Sequence, residues 1–150
     1  VQHDLPHLSV TASDVSELAL RVARENAENL GLPVEFVESS WFDALAQRRW
    51  ALIVSNPPYV AADDGHLLEG DLRFEPNTAL TDEGDGLSSI REIASNAPDH
   101  LEAGGWLLIE HGYDQAADVR SILELNGFSK VSLRHDLAGR PRVTGGCWQC

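Results

Sequence analysis

Methionine is absent from the 150-residue sequence, and only two cysteines occur in it. Because Val1 stands where an initiator methionine would, we expect that it is not the natural N-terminus. Cys147 and Cys150 form one CxxC pair, a spacing found in redox sites and in halves of zinc sites. With no second CxxC and no thioredoxin-like sequence before it, we expect two ordinary thiols and no metal site, and the sequence leaves open whether the two cysteines pair.

Basic residues are also scarce: 11 lysines and arginines stand against 24 acidic residues, and the formal net charge is −13. The acidic residues are spread along the chain, and such a surface repels phosphate backbones, which argues against direct nucleic-acid binding. No apolar run approaches the length of a membrane-spanning helix. His3, Asp4 and His7 interrupt any apolar core of a signal peptide, so we expect a cytoplasmic protein without a membrane partner.

What remains is the material of one globular domain, residues 1–150, with a hydrophobic content of 43% that is enough for a real core. Apolar positions recur at helical spacing, each time followed by glycine, over 15–30, 87–101 and 116–125. Apolar runs or alternations predict strands at 8–12, 34–36, 50–55, 106–110, 128–133 and 142–148. The segment 136–141, DLAGRP, is typical of a turn between the last two strands.

The alternation of strands and helices predicts an α/β fold with a mainly parallel sheet and an antiparallel hairpin at its end. The run 50–55, WALIVS, predicts a strand buried on both faces, whereas the strand at 34–36 alternates with glutamates and is expected near the sheet edge. In such sheets ligands bind beyond the carboxyl ends of the strands. The polar or aromatic residues at these ends, expected to converge on one rim, are Asp14, Trp41, Asn56 and Glu110.

The strand at 50–55 is followed by Asn56, Pro57, Pro58 and Tyr59. Each proline restricts its own backbone and that of the residue before it, so the corner is rigid. The Asn56 side-chain oxygen and the Pro57 carbonyl are then two fixed acceptors for both hydrogens of a planar amino group, and Tyr59 can form a flat wall beside it. A delocalised nitrogen held in this way is aimed at an electrophile by positioning alone. The alternative is a turn that merely ends the strand.

Two residues in the first third of the chain suit the recognition of a nucleoside. Asp14 ends the first predicted strand, where a carboxylate can accept hydrogen bonds from two ribose hydroxyls. It would equally suit the cap of a helix that starts at Val15. Trp41 can pack against an adenine ring or fill the core.

Taken together, these residues resemble class I S-adenosylmethionine-dependent methyltransferases, and specifically the HemK/PrmC-type release factor glutamine methyltransferases. The resemblance covers essentially the whole chain. NPPY is shared with adenine and ribosomal RNA guanine methyltransferases, whereas the RFEP and EHG segments are far more specific. The matching segments are SD with RVARENAENLGL, SWFDAL at 40–45, IVSNPPYV at 53–60, LRFEPNTALT at 72–81, GLSSIREI at 86–93, GGWLLIEHGYDQ at 104–115 and HDLAGRPRV at 135–143.

The resemblance implies methyl transfer from S-adenosylmethionine to the amide nitrogen of the glutamine in the Gly-Gly-Gln loop of peptide chain release factors. The cofactor-binding residues that it implies are Asp14, by the ribose, Trp41, by the adenine, and Asn56. The substrate-binding residues that it implies are Asn56 and Pro57, which would also be the catalytic pair, with Pro58 and Tyr59. Residues 73–76, RFEP, would support the site from a loop, and Glu110 with His111 would lie behind it, although a lone histidine there also has a structural reading.

Three features depart from the family. The glycine-rich loop after the family's first strand has no counterpart here, and neither has its N-terminal helical domain. Ser40 stands where family members commonly carry an acidic residue. Because the family's first strand lies between those that end at Asp14 and Asn56, we expect a partial catalytic domain that binds cofactor weakly or not at all by itself.

Two other functions stay open. An amino-group methyltransferase for adenine or ribosomal RNA guanine would share the fold and NPPY, but it would need a basic face for phosphates. A truncated, non-catalytic methyltransferase-like module that binds a partner would account for the missing glycine loop.

Overall fold

The computed structural model describes residues 7–45, 47–60, 81 and 84–150. The chain divides into two compact units, Val1–Arg48 and Arg49–Cys150, and each is described by itself. In the described ranges, no helix is both long enough and apolar enough to span a bilayer.

The first unit contains two parallel strands and one helix. Strand β1 (Val10–Asp14) pairs in register with β2 (Val34–Glu38), and α1 (Glu17–Asn29) connects them. The helix buries Leu20 and Ala27, which lie seven positions apart on one face. Within the described part of the chain β1 and β2 form a two-stranded sheet in which both strands are edges, so the position of β2 near the edge stays a prediction.

The start of α1 differs from the prediction. Asp14 does not cap a helix at Val15; its Oδ1 accepts the backbone N–H of Ser16 at 2.7 Å, which closes a local turn. Ser16 is the helix cap instead, and its Oγ accepts the N–H of Ala19 at 3.2 Å. The turn at Asp14 therefore moves the helix start two residues along the chain, to Glu17.

The second unit contains a four-stranded sheet in the order β3-β4-β6-β5. Its elements are β3 (Trp50–Ser55), α2 (Ser88–Asn96), a 3₁₀ turn (Ala97–His100), β4 (Leu101–Glu110), α3 (Ala116–Leu125), β5 (Ser129–His135) and β6 (Pro141–Cys147). Strands β3 and β4 are parallel, and β6 runs antiparallel to both of its neighbours, β4 and β5. The predicted closing hairpin is thereby confirmed, and so are the spans 50–55 and 116–125.

One face of this sheet carries the core. Helix α3 packs on β5 and β6 and also contacts α2. The fully or almost fully buried side chains of these elements are Ile90, Ile93, Leu107, Ile109, Val119 and Leu123. Their spacing, three or four along the helices and two along β4, gives each element one apolar face.

The prediction that β3 is buried on both faces is wrong. In the parallel register Leu52 pairs with Trp106 and Val54 with Leu108. Leu52 is 46% exposed and Val54 is 65% exposed, so the face that they share is open. Strand β3 is the edge of its sheet in the described part of the chain, and an edge strand is not enclosed as the continuous apolar run suggested.

Strand β4 begins at Leu101 rather than at residue 106. The helix predicted over 87–101 is correspondingly shorter, since α2 ends at Asn96. Pro98 lies in the 3₁₀ turn after α2 and lacks the N–H that a longer helix would need. Gly104 and Gly105 lie inside the strand, at a register shift against β3, and do not end a helix. A Cβ on Gly105 would lie 2.9 Å from the carbonyl oxygen of Glu102 and 3.1 Å from that of Trp50, so the backbone at this point requires glycine.

The two cysteines, whose pairing the sequence leaves open, are paired. Cys147, at the end of β6, and Cys150 are joined by a disulfide, and their Cα atoms are 5.8 Å apart. Cys147 is fully buried between β4 and β5, so the bond anchors the segment after β6 to the sheet.

Candidate active site

The corner after β3 combines an exposed asparagine with buried proline. Asn56 is exposed, Pro57 is buried, and Pro58 and Tyr59 are half-buried. Among the described residues, no hydrogen bond uses the Asn56 side chain or the Pro57 carbonyl. Val60 then forms an isolated parallel bridge with Thr81. Both proposed acceptors are therefore uncommitted within this part of the chain, and their role in binding stays a prediction.

The register of the sheet places Asn56 beside Glu110. Ser55 of β3 pairs with Ile109 of β4, so the next residues of the two strands, Asn56 and Glu110, are neighbours at the carboxyl edge. Glu110 is half-buried there. The predicted convergence is confirmed for these two residues, and that of Asp14 and Trp41 with them stays a prediction.

A remote side chain holds the end of the corner. The Nε2 of Gln115 donates to the carbonyl oxygen of Tyr59 at 3.0 Å and to that of Gly86 at 3.2 Å. Its Oε1 accepts the N–H of Gly112 at 2.8 Å. Sequence reasoning assigned Gln115 no role, although it ends the quoted segment GGWLLIEHGYDQ.

His111 is a structural residue. It is fully buried, and its Nδ1 donates to the Gly112 carbonyl at 2.8 Å, because a carbonyl oxygen can only accept. Its Nε2 accepts the hydroxyl hydrogen of Thr144, also at 2.8 Å. Both ring nitrogens are therefore used within the protein, and the backbone N–H is bound by the Arg142 carbonyl.

A second side chain shapes the segment to which Gln115 is bound. Asp85 accepts the backbone N–H of Leu87 at 3.1 Å and forms an exposed ion pair with Arg91 of α2 at 2.7 Å. The Arg91 guanidinium, followed by the Leu87 N–H, lowers the pKa of the Asp85 carboxyl. Gly86 lies inside this turn, so its carbonyl is presented to Gln115 by local contacts.

In the first unit, Asp14 lies at the carboxyl end of β1 and is exposed. One of its oxygens accepts the Ser16 N–H, as described above. A carboxylate has about four acceptor positions, so most of its capacity is not used by this turn.

Trp41 lies in the turn after β2, is half-buried and has a positive φ of 44°. This left-handed backbone is unfavourable for a bulky residue and needs support from its surroundings. The support comes from Ser39, which is buried and whose Oγ contacts the Trp41 carbonyl at 3.2 Å and accepts the Ala44 N–H at 3.0 Å.

The family model named "Methyltransferase small domain" matches residues 1–85, which include Asp14, Trp41 and the whole NPPY corner. The chain belongs to this methyltransferase family. It is 57% identical over 143 residues to a release factor glutamine methyltransferase of Neisseria gonorrhoeae, with 94% of this chain and 52% of that protein covered. It is 51% identical over 142 residues to the protein of the same name in Bordetella pertussis, with 94% and 53% covered.

The predicted resemblance to release factor glutamine methyltransferases is thereby confirmed. The chain spans about half the length of the curated relatives that it matches. Together with the four-stranded sheet and its hairpin, the solved structures confirm the predicted methyltransferase fold class. A methyltransferase from Pyrococcus furiosus aligns with a TM-score of 0.70 at 18% identity, over 99% of this chain and 66% of its own.

A second solved structure is an rRNA methyltransferase of Thermus thermophilus in complex with AdoMet and guanosine. It aligns with a TM-score of 0.61 at 15% identity, over 93% of this chain and 31% of its own. At these identities the likeness shows the methyltransferase fold alone.

Two remaining predictions concern other parts of the site. The supporting segment 73–76, RFEP, lies outside the described residues. Within the ranges that are described, no group of three or more histidine, cysteine, aspartate or glutamate side chains is arranged to hold a metal ion.

Proposed function

We propose that the intact protein transfers a methyl group from S-adenosylmethionine to the side-chain amide nitrogen of a glutamine in the Gly-Gly-Gln loop of a peptide chain release factor. The observation that carries this proposal is the corner after β3, where an exposed Asn56 precedes a buried Pro57. The printed names of relatives at 57% and 51% identity support the same substrate. Release factors act on cytoplasmic ribosomes, so we propose a cytoplasmic location as well.

Asn56 and Pro57 recognise the amide by its two hydrogens. The Asn56 Oδ1 and the Pro57 carbonyl oxygen accept one hydrogen each, and the prolines prevent the two acceptors from turning apart. Tyr59 and Pro58 flank the planar group and exclude water from it. Held in this way, the nitrogen is oriented by fixed dipoles, and no side chain of the corner has to remove a proton first.

The residue types of the first unit fit the proposed cofactor. Asp14 has unused acceptor positions for the two ribose hydroxyls, and Trp41 offers an indole face to the adenine. When bound, S-adenosylmethionine supplies an electrophilic methyl group on a sulfonium sulfur. We further propose that residues 1–150 are one part of a catalytic domain, because the relatives are about twice as long.

A nucleic-acid methyltransferase is the second candidate, since NPPY also suits an aromatic amino group. The net charge of −13 argues against it, because a duplex or folded RNA calls for a basic face. A non-catalytic module is the third candidate, and the absence of a glycine-rich loop in the 150 residues favours it.

Labelled S-adenosylmethionine separates these candidates. The natural full-length chain that carries this sequence is offered a release factor, the same release factor with glutamate in place of the loop glutamine, DNA, and ribosomal RNA. We expect label in the unaltered release factor alone. Label in nucleic acid alone would reject the glutamine substrate. A protein that transfers no label and shows no heat on titration with S-adenosylmethionine would favour the binding module.

A further inference from the structure

Gln115 uses the whole of its amide on backbone groups of three separate segments. Its oxygen accepts one N–H, from Gly112 at 2.8 Å, and its nitrogen donates to two carbonyls, those of Tyr59 at 3.0 Å and Gly86 at 3.2 Å. A primary amide offers two donor hydrogens and one oxygen, so all its groups are engaged. Tyr59 lies 56 positions before Gln115 in the sequence and Gly86 lies 29 positions before it, so this side chain links distant parts of the second unit.

The orientation of this amide is fixed. A rotation by 180° would place its oxygen against the Tyr59 and Gly86 carbonyls and its NH₂ against the Gly112 N–H. Space around Gly112 is also limited, because a Cβ there would lie 3.0 Å from the Gln115 oxygen. Glycine at 112 therefore leaves room for the Gln115 amide in its observed position.

The anchor behind Gln115 is itself rigid. The Gly112 carbonyl accepts from Nδ1 of the fully buried His111, and Nε2 of that ring accepts from Thr144 of β6. A continuous chain of hydrogen bonds thus runs from the sheet through His111 and Gly112 to the amide of Gln115. Buried networks in which each group is satisfied hold their members in one geometry.

We propose that Gln115 is a positioning residue of the methyl-transfer site, which it serves by fixing the exit of the NPPY corner at Tyr59. The inference rests on the proposed function. The two prolines fix their own φ angles and restrict the residues before them, Asn56 and Pro57, so they define the corner where the chain enters it. No proline follows Tyr59, and the contact to its carbonyl restrains this other end. Gln115 touches neither substrate nor cofactor in this role; it holds Tyr59 in place beside the two acceptors.

The substitution Gln115→Glu tests the role at constant size. The carboxylate still accepts the Gly112 N–H, but it brings a negative oxygen against two carbonyl oxygens in place of two N–H donors. We expect kcat for the release factor to fall about 10- to 100-fold, because small misplacements of a reacting group cost rates of this order. The KM for S-adenosylmethionine is expected to stay within about twofold. Gln149→Glu, the same change at an exposed glutamine, is the matched control.

The pH profile distinguishes positioning from a general loss of structure. A protonated glutamate has an O–H that can donate to the Tyr59 carbonyl, and carbonyl oxygens around it raise the pKa of such a group. The ratio of kcat for Gln115→Glu to kcat for the wild type should therefore rise several-fold between about pH 8 and about pH 6. Gln115→Met has a similar length and no titratable group, so its ratio should stay flat. The neighbouring charged groups, His111, Asp114 and Asp85, are also present in Gln115→Met, so a flat ratio for that variant shows that the rise belongs to the new carboxyl.

Hydrogen exchange followed by mass spectrometry provides a readout without catalysis. We expect amides of the segment 54–60 to exchange faster in both Gln115 variants and at the wild-type rate in Gln149→Glu. Unchanged exchange in both variants, or kcat values equal to that of Gln149→Glu, would overturn the inference. A wild-type chain that transfers no methyl group would reject the proposed function, while the exchange rates would still decide whether Gln115 holds the corner.

Discussion

The turn after β2 and the corner after β3 occupy equivalent places, each directly behind the carboxyl end of a parallel strand, but they are held by different means. The first turn closes on itself: Ser39 binds Trp41 and Ala44, within five residues of its own position. The corner after β3 is held from a distance, through Gln115. The side-chain contacts of the first turn thus stay within it, although the Ser39 N–H also donates to the Asp14 carbonyl of β1 at 3.0 Å, whereas the corner is held by a side chain from a distant segment.

The largest effect is expected for a substitution that tests whether the NPPY corner is the methyl-transfer site. Asn56→Ala removes one of the two acceptors, and we expect kcat for the release factor to fall about 100- to 1,000-fold, the usual range for loss of a preorganised hydrogen-bonding group. The fold should be preserved because Asn56 is exposed at a strand end. Initial rates and thermal unfolding curves measure the two effects separately.

Asn29→Ala, at an exposed asparagine at the end of α1, is the matched control for this change. It should leave both kcat and the unfolding midpoint close to those of the wild type. If Asn56→Ala keeps near-normal turnover, amide capture at this corner is wrong.

The next effect tests the remote support. Thr144→Val keeps the shape of the side chain but removes the hydroxyl that donates to Nε2 of buried His111. A buried acceptor without a partner costs about 1–3 kcal/mol, so the free energy of unfolding should fall by that amount. Urea titration followed by tryptophan fluorescence measures it. Thr11→Val, whose hydroxyl makes an exposed contact with Glu35, should change stability by less than about 0.5 kcal/mol.

If Thr144→Val is as stable as the wild type, the hydrogen bonds from Thr144 through His111 to Gly112 contribute little to the free energy of unfolding. The corner would then be as self-contained as the turn after β2, and the contrast between the two regions would disappear.

A smaller effect is expected in the local turn. Ser39→Ala removes the acceptor of the Ala44 N–H and the contact to the Trp41 carbonyl, at a cost of about 1 kcal/mol. Since Trp41 then relaxes from its left-handed backbone, S-adenosylmethionine should bind about fivefold more weakly by calorimetry in the full-length chain, on the same energy scale. Ser121→Ala, at an exposed serine of α3, is the control. If the two variants bind S-adenosylmethionine with equal affinity, the backbone conformation of Trp41 does not contribute to cofactor binding.

The same contrast explains what could be predicted from the sequence. The span of β3 and the closing hairpin depend on residues close together in the sequence, and their patterns predicted them. The start of β4 was missed because Leu101 continues the helical spacing of the segment before it. Gln115 was missed because its partners lie 29 and 56 positions away.

The smallest effect concerns the exposed ion pair of Asp85 with Arg91, which shapes the segment that presents the Gly86 carbonyl to Gln115. The pKa of Asp85 is lowered in the folded protein, first by Arg91 and then by the Leu87 N–H. Its contribution to stability is therefore fully present above the unfolded-state pKa of about 3.9 and is lost as the pH falls through the lower folded-state pKa.

Asp85→Asn retains an acceptor for the Leu87 N–H but loses the charge, so the wild type should have the higher urea midpoint at neutral pH. The difference should begin to close below about pH 4 and should disappear as the pH falls through the lowered folded-state pKa of Asp85, because the wild-type carboxyl is then protonated as well. Asp99→Asn controls for the change in net charge. A difference in urea midpoint that persists undiminished at low pH would mean that Asp85 acts through the shape of the turn and not through its charge. The ion pair with Arg91 would then contribute little to the segment that presents the Gly86 carbonyl to Gln115.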